Sequence, residues 1–410
     1  MFIKRICFLQ LVLLLLFPAV SCNPVDPTPL PPEPDPPVEE EFETAAAAVL
    51  HMGAGWNLGN TLDSNSGSLD NMWIEAWTSR TPKDYETAWG QPVTTRQLIH
   101  MFKEAGFGAI RVPVTWYPHI GTLTLHDTNK WNLSDWTGMT VDAAWMARVK
   151  EVVDYVLDEG LYCILNVHHD TGSADTAWLI AGEAEFEDAA PRYQSLWKQI
   201  AETFRDYGEK LLFESYNEML DPFDSWCFAS FAAPGNYDAA IAVAAYKSIN
   251  NYARLFTETV RATGGNNVQR NLIVNTYAAC SGDGTWNPHL EDPVKSFALP
   301  EKPGHIAVEV HSYWDAGKFN AQKAEIDALF SRMDSQIVSR LGVPVIIGEW
   351  SGGSNDDNDA NVRFASYFSQ KAKETGIAAF WWMGLSDGTD RAVPRWTMPR
   401  TKEAILQAYN

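Results

Sequence analysis

The 410-residue chain is poor in cations and cysteine, and beyond its first two dozen residues it has no long apolar run. Its 31 Lys and Arg face 52 Asp and Glu, a formal charge of −21. A field of that sign repels phosphate, which argues against a nucleic-acid or anionic-membrane binder. Among the five cysteines there is no Cys-x-x-Cys and no Cys/His spacing of the zinc kind. No internal repeat or low-complexity run breaks the chain after about residue 44, and no Gly-rich nucleotide loop follows its first strand-like segment. What it has in quantity is apolar and aromatic: 46% apolar residues, with 17 Trp, 14 Tyr and 19 Phe. That content excludes a disordered chain. It does not by itself separate a Trp-rich core from a Trp-lined ligand site.

Residues 1–22 read as a secretory signal. Lys4 and Arg5 form the basic start, Leu9–Phe17 the apolar stretch, and Ala19-Val20-Ser21-Cys22 the small-residue end. The stretch is shorter than the ~20 helical residues that span a bilayer. Its ending resembles a bacterial lipobox, with Ala19 where Leu is commonest, so Cys22 is the expected lipidation site and an ordinary cleaved signal the alternative. Residues 23–43 hold eight prolines and seven acids without apolar periodicity, the composition of a stiff spacer. The expectation is a monomer tethered to a cell surface or outer membrane, its globular domain spanning residues 44–410. Cys7 leaves with the signal, and Cys163 falls in an apolar run and reads as core. Cys227 and Cys280 fall in expected loops, where spacing neither joins nor separates them.

Within the domain, eight strand-like segments alternate with helical patterns: 52–59, 109–114, 162–167, 211–216, 271–276, 305–311, 344–348 and 378–382. Alternation of this kind implies a parallel sheet, and eight units fit an α/β fold of the (β/α)₈ TIM-barrel type better than a doubly wound sheet. Polar residues gather where these segments end, and in a barrel those ends meet at one mouth.

Two carboxylates stand out there. Glu218 ends Leu-Leu-Phe-Glu-Ser-Tyr-Asn-Glu and Glu349 ends Val-Pro-Val-Ile-Ile-Gly-Glu. Each follows a segment that reads as a buried strand, so neither is an ordinary surface charge. Paired carboxyls across a barrel mouth are what glycoside hydrolysis requires, about 5–5.5 Å apart for retention and wider for inversion. Arg111, predicted to point inward, is suited to hold Glu349 ionised. His168, His169 and His311 raise a metal-dependent hydrolase as a rival. Adjacent residues on a strand point to opposite faces and no His-x-His is present, so no metal or cofactor is expected. Nine tryptophans, Trp89, Trp116, Trp178, Trp226, Trp286, Trp314, Trp350, Trp381 and Trp382, fall at expected strand ends and mouth-side loops. Indole faces there suit the C–H faces of sugar rings.

At these residues the chain resembles glycoside hydrolase family 5, in particular its bacterial endoglucanase and xyloglucanase branch. The matching motifs are Gly55–Asp63 (GWNLGNTLD), Ala88–Pro92 (AWGQP), Ile110–Trp116 (IRVPVTW), Asn166–Asp170 (NVHHD), Asn217-Glu218, His311-Ser312-Tyr313, Gly348-Glu349-Trp350 and Phe380-Trp381-Trp382. The resemblance implies a retaining double displacement on a β-1,4-linked polysaccharide, with Glu218 as acid/base and Glu349 as nucleophile. It implies that Asn217 binds the sugar 2-hydroxyl, that Arg111 and Tyr313 flank the nucleophile, and that His168 and His311 line the reactive subsite. His169, Asn60 and Trp116 are carried over as supporting residues. One last-strand Trp should lie under the sugar; Trp381 is favoured over Trp382, with the register open. Two departures affect the subsites: Met219 where the family usually has Pro, and Trp350 where Phe is common. The same mechanism on mannan, and a non-catalytic glycan-binding lipoprotein, are the remaining rivals.

Overall fold

The computed structural model describes residues 41–223, 237–282, 289, 292–356 and 359–409. The signal, Cys22, all but residues 41–43 of the spacer, Trp226, Cys227 and Trp286 lie outside the described residues. The described part forms one unit. Two of its first three residues, assigned above to the spacer, hydrogen-bond into the fold: the backbone amides of Phe42 and Glu43 donate to Gln269 and Glu209.

Eight parallel strands close into a barrel. They are β1 (Ala54–Asn57), β2 (Ala109–Val112), β3 (Tyr162–Asn166), β4 (Leu211–Glu214), β5 (Leu272–Asn275), β6 (Ile306–Tyr313), β7 (Val345–Ser351) and β8 (Ala378–Trp381). β8 pairs back onto β1. Every segment predicted as a strand is one, although six end earlier than expected and β6 and β7 run on.

Helices cover the outside because their sequences carry both caps and an apolar stripe. In Arg96–Ala105, Thr95 accepts from the Leu98 amide, Leu98, Ile99 and Phe102 face the sheet, and Gly106 ends the helix in the left-handed conformation. In Ala143–Asp158, Asp142 caps the Trp145 amide, and Trp145, Val149, Val152, Val153 and Val156 are buried. Among the described residues no helix is long and apolar enough to cross a membrane.

Strand alternation divides the interior into an apolar floor and a polar upper part. The helix Ala45–Met52 closes the floor, packing Ala45, Ala48, Val49 and Met52 against the inward residues Tyr162, Ile164, Leu212, Ile273, Ala307, Ile346, Ala378 and Phe380. Two residues further up, on β2 to β6, the inward position turns polar: Arg111 follows Ala109, Asn166 follows Ile164, Glu214 follows Leu212, Asn275 follows Ile273 and Glu309 follows Ala307. All five are fully buried.

Outside the barrel, Arg270 ties the entry of β5 to the end of helix Glu183–Thr203. Its guanidinium donates to the carbonyls of Phe204, Tyr207, Gly208 and Leu211 and to Asn267 Oδ1, at 2.7–3.1 Å. Removing it leaves several buried carbonyls without donors. Arg270→Ala is expected to lower unfolding stability by about 3 kcal/mol or more in urea titration, without reaching the mouth.

Candidate active site

Arg111 is the centre of the polar layer. Its Nε and Nη2 lie 2.7 and 2.8 Å from the two oxygens of Glu214, a bidentate fork. Nη1 donates to Glu349 Oε1 at 2.8 Å and to Asn57 Oδ1 at 3.0 Å. Nη2 also donates to Asn217 Oδ1 at 2.8 Å, with Glu309 Oε1 3.4 Å away. The expected Arg111–Glu349 pair is therefore present, within a larger cluster that sequence reading did not anticipate. Burial and the neighbouring Glu214 carboxylate raise the Glu309 carboxyl to about 7, against the pull of Arg111. For Glu214, burial acts upward, but the Arg111 charge and hydrogen bonds prevail and hold the group below its ordinary value.

Glu218 and Glu349 meet at His311. The Nδ1 of His311 is 2.7 Å from Glu218 Oε1 and 3.7 Å from Glu349 Oε2. One oxygen of each glutamate and one nitrogen of His311 lie within 4.8 Å of one another. Glu349 is almost wholly buried, held by Arg111 and by the Tyr313 hydroxyl, whereas the Glu218 side chain is 24% exposed at the rim. Burial alone would strip His311 of its proton, but Glu349, Glu218 and Glu309 around it raise its value to about 10. Burial leaves His168 neutral, its value well below the ordinary one.

A register shift brings these groups together. β6 and β7 slip past each other between Val310 and His311, so that His311 pairs with Glu349 and Tyr313 with Ser351. Gly348 sits at the slip because a Cβ there would stand 1.8 Å from Glu309 Oε1. The glycine of the Gly-Glu-Trp motif is thus the space that Glu309 occupies.

Several placements correct the expectations. Glu218 does not end a strand: β4 stops at Glu214, and Glu218 lies in the segment that follows. His168 and His169 lie beyond the end of β3, where alternation no longer applies, and both reach the mouth. Their rings meet edge to face at 4.4 Å, and His169 Nε2 is 3.9 Å from Asp63 Oδ2. Asp63, His168 and His169 can bring donor atoms within 4.8 Å of one another. The Asp63 oxygens, however, already accept from the Asn60 and Thr61 amides, at 3.0 and 2.7 Å. His168 Nδ1 faces the Asn166 amide at 3.0 Å.

The favoured Trp381 points the wrong way. On β8 the inward positions are Ala378 and Phe380, so Trp381 faces outward, fully buried and edge-on to Trp350 at 4.8 Å. Trp382 continues the inward parity and is partly exposed, its ring parallel to His168 at a centroid distance of 5.6 Å. Gly59 lies against it, with room for no side chain: a Cβ would meet the indole at 2.9 Å. Asn60, held in the left-handed conformation (φ 59°), lines the same cavity as Trp382 and Trp314. Trp116 and Trp350 are fully enclosed, and the Trp178 indole donates to Asp170 at 2.6 Å. Of the nine mouth-side candidates, Trp89, Trp314 and Trp382 are the described ones that keep substantial exposure. Glu214, Glu309, Asn57 and Asn166 were missed. Counting back two residues from His311, or on two from Leu212, would have found the two acids.

A closed (β/α)₈ barrel with two carboxylates gathered at a shared histidine defines a barrel of the paired-carboxylate hydrolase type. The profile of the family described as Cellulase (glycosyl hydrolase family 5) matches residues 74–387. The chain belongs to glycosyl hydrolase family 5. It is 32% identical over 392 residues to Endoglucanase A of Clostridium longisporum, covering 90% of this chain and 66% of that relative. To Endoglucanase B of Neocallimastix patriciarum it is 34% identical over 348 residues, covering 82% and 63%. The chain thus spans just under two thirds of the length of these curated relatives. A solved GH5-4 broad specificity endoglucanase from an uncultured bacterium superposes with TM-score 0.79 at 49% identity, covering 91% of this chain and 97% of the other. A family 5 enzyme from Prevotella bryantii, solved with a xyloglucan tetradecasaccharide, gives 0.74 at 36% identity, covering 90% and 99%.

Two outcomes follow from the cluster. Arg111→Ala leaves buried carboxylates uncompensated and is expected to reduce stability by about 3–5 kcal/mol in urea unfolding. Glu309 is raised from 4.5 in a free chain to about 7 in the fold, so the stability it contributes is present at low pH and lost as pH rises through that window. The stability of Glu309→Gln relative to wild type should therefore increase from pH 5 to pH 7.5.

Proposed function

We propose that the protein is an endo-acting, retaining β-1,4-glycanase that cleaves internal β-1,4-glucosidic bonds of a plant cell-wall glucan or xyloglucan. The observation that carries this reading is the approach of Glu218, Glu349 and His311 donor atoms to within 4.8 Å. Retention uses carboxyls about 5–5.5 Å apart, whereas inversion leaves about 6.5–9.5 Å for a water. Family membership and relatives named endoglucanase support the glucan assignment, and the xyloglucan-bound neighbour supports a branched substrate.

In this mechanism Glu349 attacks the anomeric carbon while Glu218 gives its proton to the leaving oxygen. A glycosyl ester forms on Glu349 and the glycosidic C–O bond breaks. Glu218, now a carboxylate, takes a proton from water, whose oxygen displaces Glu349 with a second inversion. Arg111 and the Tyr313 hydroxyl hold and aim Glu349 before attack, and both bonds weaken as its charge is spent. Arg111 also fixes the Asn217 amide by its oxygen, leaving the NH₂ end for the sugar 2-hydroxyl. Trp382, not Trp381, supplies the stacking face, with His168, His169 and Asn60 around it. Trp116 supports the site from behind: its indole donates to the Asn166 carbonyl at 3.0 Å.

Lipidation of Cys22 and attachment of a monomeric enzyme to an outer-membrane surface belong to the same proposal, on the strength of the Ala-Val-Ser-Cys ending. Release of the Cys22→Ala protein into the medium is the outcome that would support it.

Glu349→Ala should reduce hydrolysis of soluble glucans by three orders of magnitude or more. Glu218→Ala should lose about 10²–10⁴-fold on polysaccharide, but much less in the first step on an aryl glycoside whose leaving group needs no proton. Retention of activity by Glu349→Ala would overturn the mechanism. Trp382→Ala is expected to weaken kcat/KM by roughly tenfold, the effect of losing about 1.4 kcal/mol of stacking. Reducing-sugar release across carboxymethyl-cellulose, xyloglucan, barley β-glucan and glucomannan ranks the polymers.

A further inference from the structure

The double displacement gives the buried acid Glu309 no role. Glu309 lies on β6 two residues before His311, on the same inward face, and is fully enclosed. Its Oε1 is 3.3 Å from His311 Nε2. Its Oε2 has no hydrogen-bond partner among the described residues. On the other side of the ring, His311 Nδ1 is 2.7 Å from Glu218 Oε1. Carboxyl, imidazole and carboxyl thus form a line from the barrel interior to the rim.

The other groups that face Glu309 do not explain it. Arg111 on β2 is already engaged at 2.7 and 2.8 Å by Glu214 on β4 and Glu349 on β7, and holds Glu309 only at 3.4 Å. Asn275 on β5, its register partner, is neutral. As a counter-charge Glu309 is superfluous, and it adds to a surplus of acids around one arginine. Yet β7 carries a glycine at the one position where any side chain would displace it. What Glu309 alone contacts is the far nitrogen of the histidine on Glu218.

We infer that Glu309 is a positioning residue acting through His311: it accepts the Nε2–H, fixing the ring so that Nδ1–H is directed at Glu218 Oε1. The inference rests on the reading of Glu218 as acid/base. An imidazole held at both nitrogens has one orientation, and the acceptor on one side governs the proton on the other. With Oε1 reserved for Nδ1–H, the transferable proton sits on Glu218 Oε2. When that proton passes to the leaving oxygen, the Nδ1–H bond strengthens onto the new carboxylate. When water returns a proton, it relaxes. No proton leaves His311 in either step, so the proton count closes within Glu218, substrate and water.

The test uses the full chain with ¹⁵N-labelled histidine, the His311 signals being assigned by comparison with His311→Asn. In Glu309→Gln, which keeps the shape of the side chain, the His311 titration midpoint should fall by about one pH unit or more. On soluble glucan kcat should fall about tenfold with KM within about twofold, the pattern of an interaction made in the transition state. Glu309→Asp, which keeps the charge, should recover part of both. An unmoved His311 titration, or an unchanged kcat in Glu309→Gln, overturns the inference. The ring titration is read without turnover, so it stands or falls separately from the acid/base assignment, which Glu218→Ala tests.

Discussion

One guanidinium organises the interior of this barrel. Arg111 is fully enclosed, and its donors reach Glu214, Glu349, Asn217 and Asn57, with Glu309 at the edge of contact. These partners come from strands around the barrel or the turns after them. In a water-poor interior each of those carboxylates would be strongly disfavoured alone, and together they would repel one another. A planar cation with fixed, divergent donors is the group that can hold several oxygens at once. A lysine offers one point of charge and could not meet the Glu214 fork on one side and Glu349 on the other.

The clamp explains why so polar a layer coexists with a stable fold. The floor of the barrel is a small apolar plug, and the change to polar residues occurs at the same height on successive strands. Below it, packing supplies stability; above it, hydrogen bonds satisfy the groups that chemistry needs. Glu309 at about 7 and Asp170 at about 7 are acids kept partly protonated because burial disfavours their charge. Such groups lower stability when ionised, a frequent property of functional sites. Asp170 also has a plain structural role. It caps the Trp116 amide at 2.8 Å and takes the Trp178 indole, fixing the turn that carries both histidines.

Much of this was legible in the chain. Eight apolar segments between amphipathic helices pointed to the barrel, and the acids after the fourth and seventh supplied the candidate pair with its arginine. The misplacements after β3 and β4 share one cause. Period-two alternation holds within a strand and fails beyond its last ladder bond. His168, His169 and Glu218 lie in turns, so a strand rule misjudged their direction. Trp381 and Trp382 depended on a register that only Phe380, pressed into the space of Gly55, makes evident. Glu214 and Glu309 were overlooked for the opposite reason: they obey the alternation, but sit below the mouth, one inward position deeper than the residues sought. The tryptophans were over-read, because a mouth-side position in sequence does not distinguish an indole facing the cleft from one facing the helices.

The helix that closes the floor has a further consequence. With Ala45, Ala48, Val49 and Met52 packed under the apolar plug, packed hydrocarbon separates the buried acids from the lower end of the barrel. Their open side is the mouth, which the proposed polysaccharide substrate would cover. While substrate covers that opening, Glu218 passes one proton to the leaving oxygen and takes one from water, whereas the proposed mechanism moves no proton at Arg111, Glu214, Glu309 or His311. In this reading the barrel is a vessel closed at one end, with a single proton cycled at its rim above acids whose own protons stay in place.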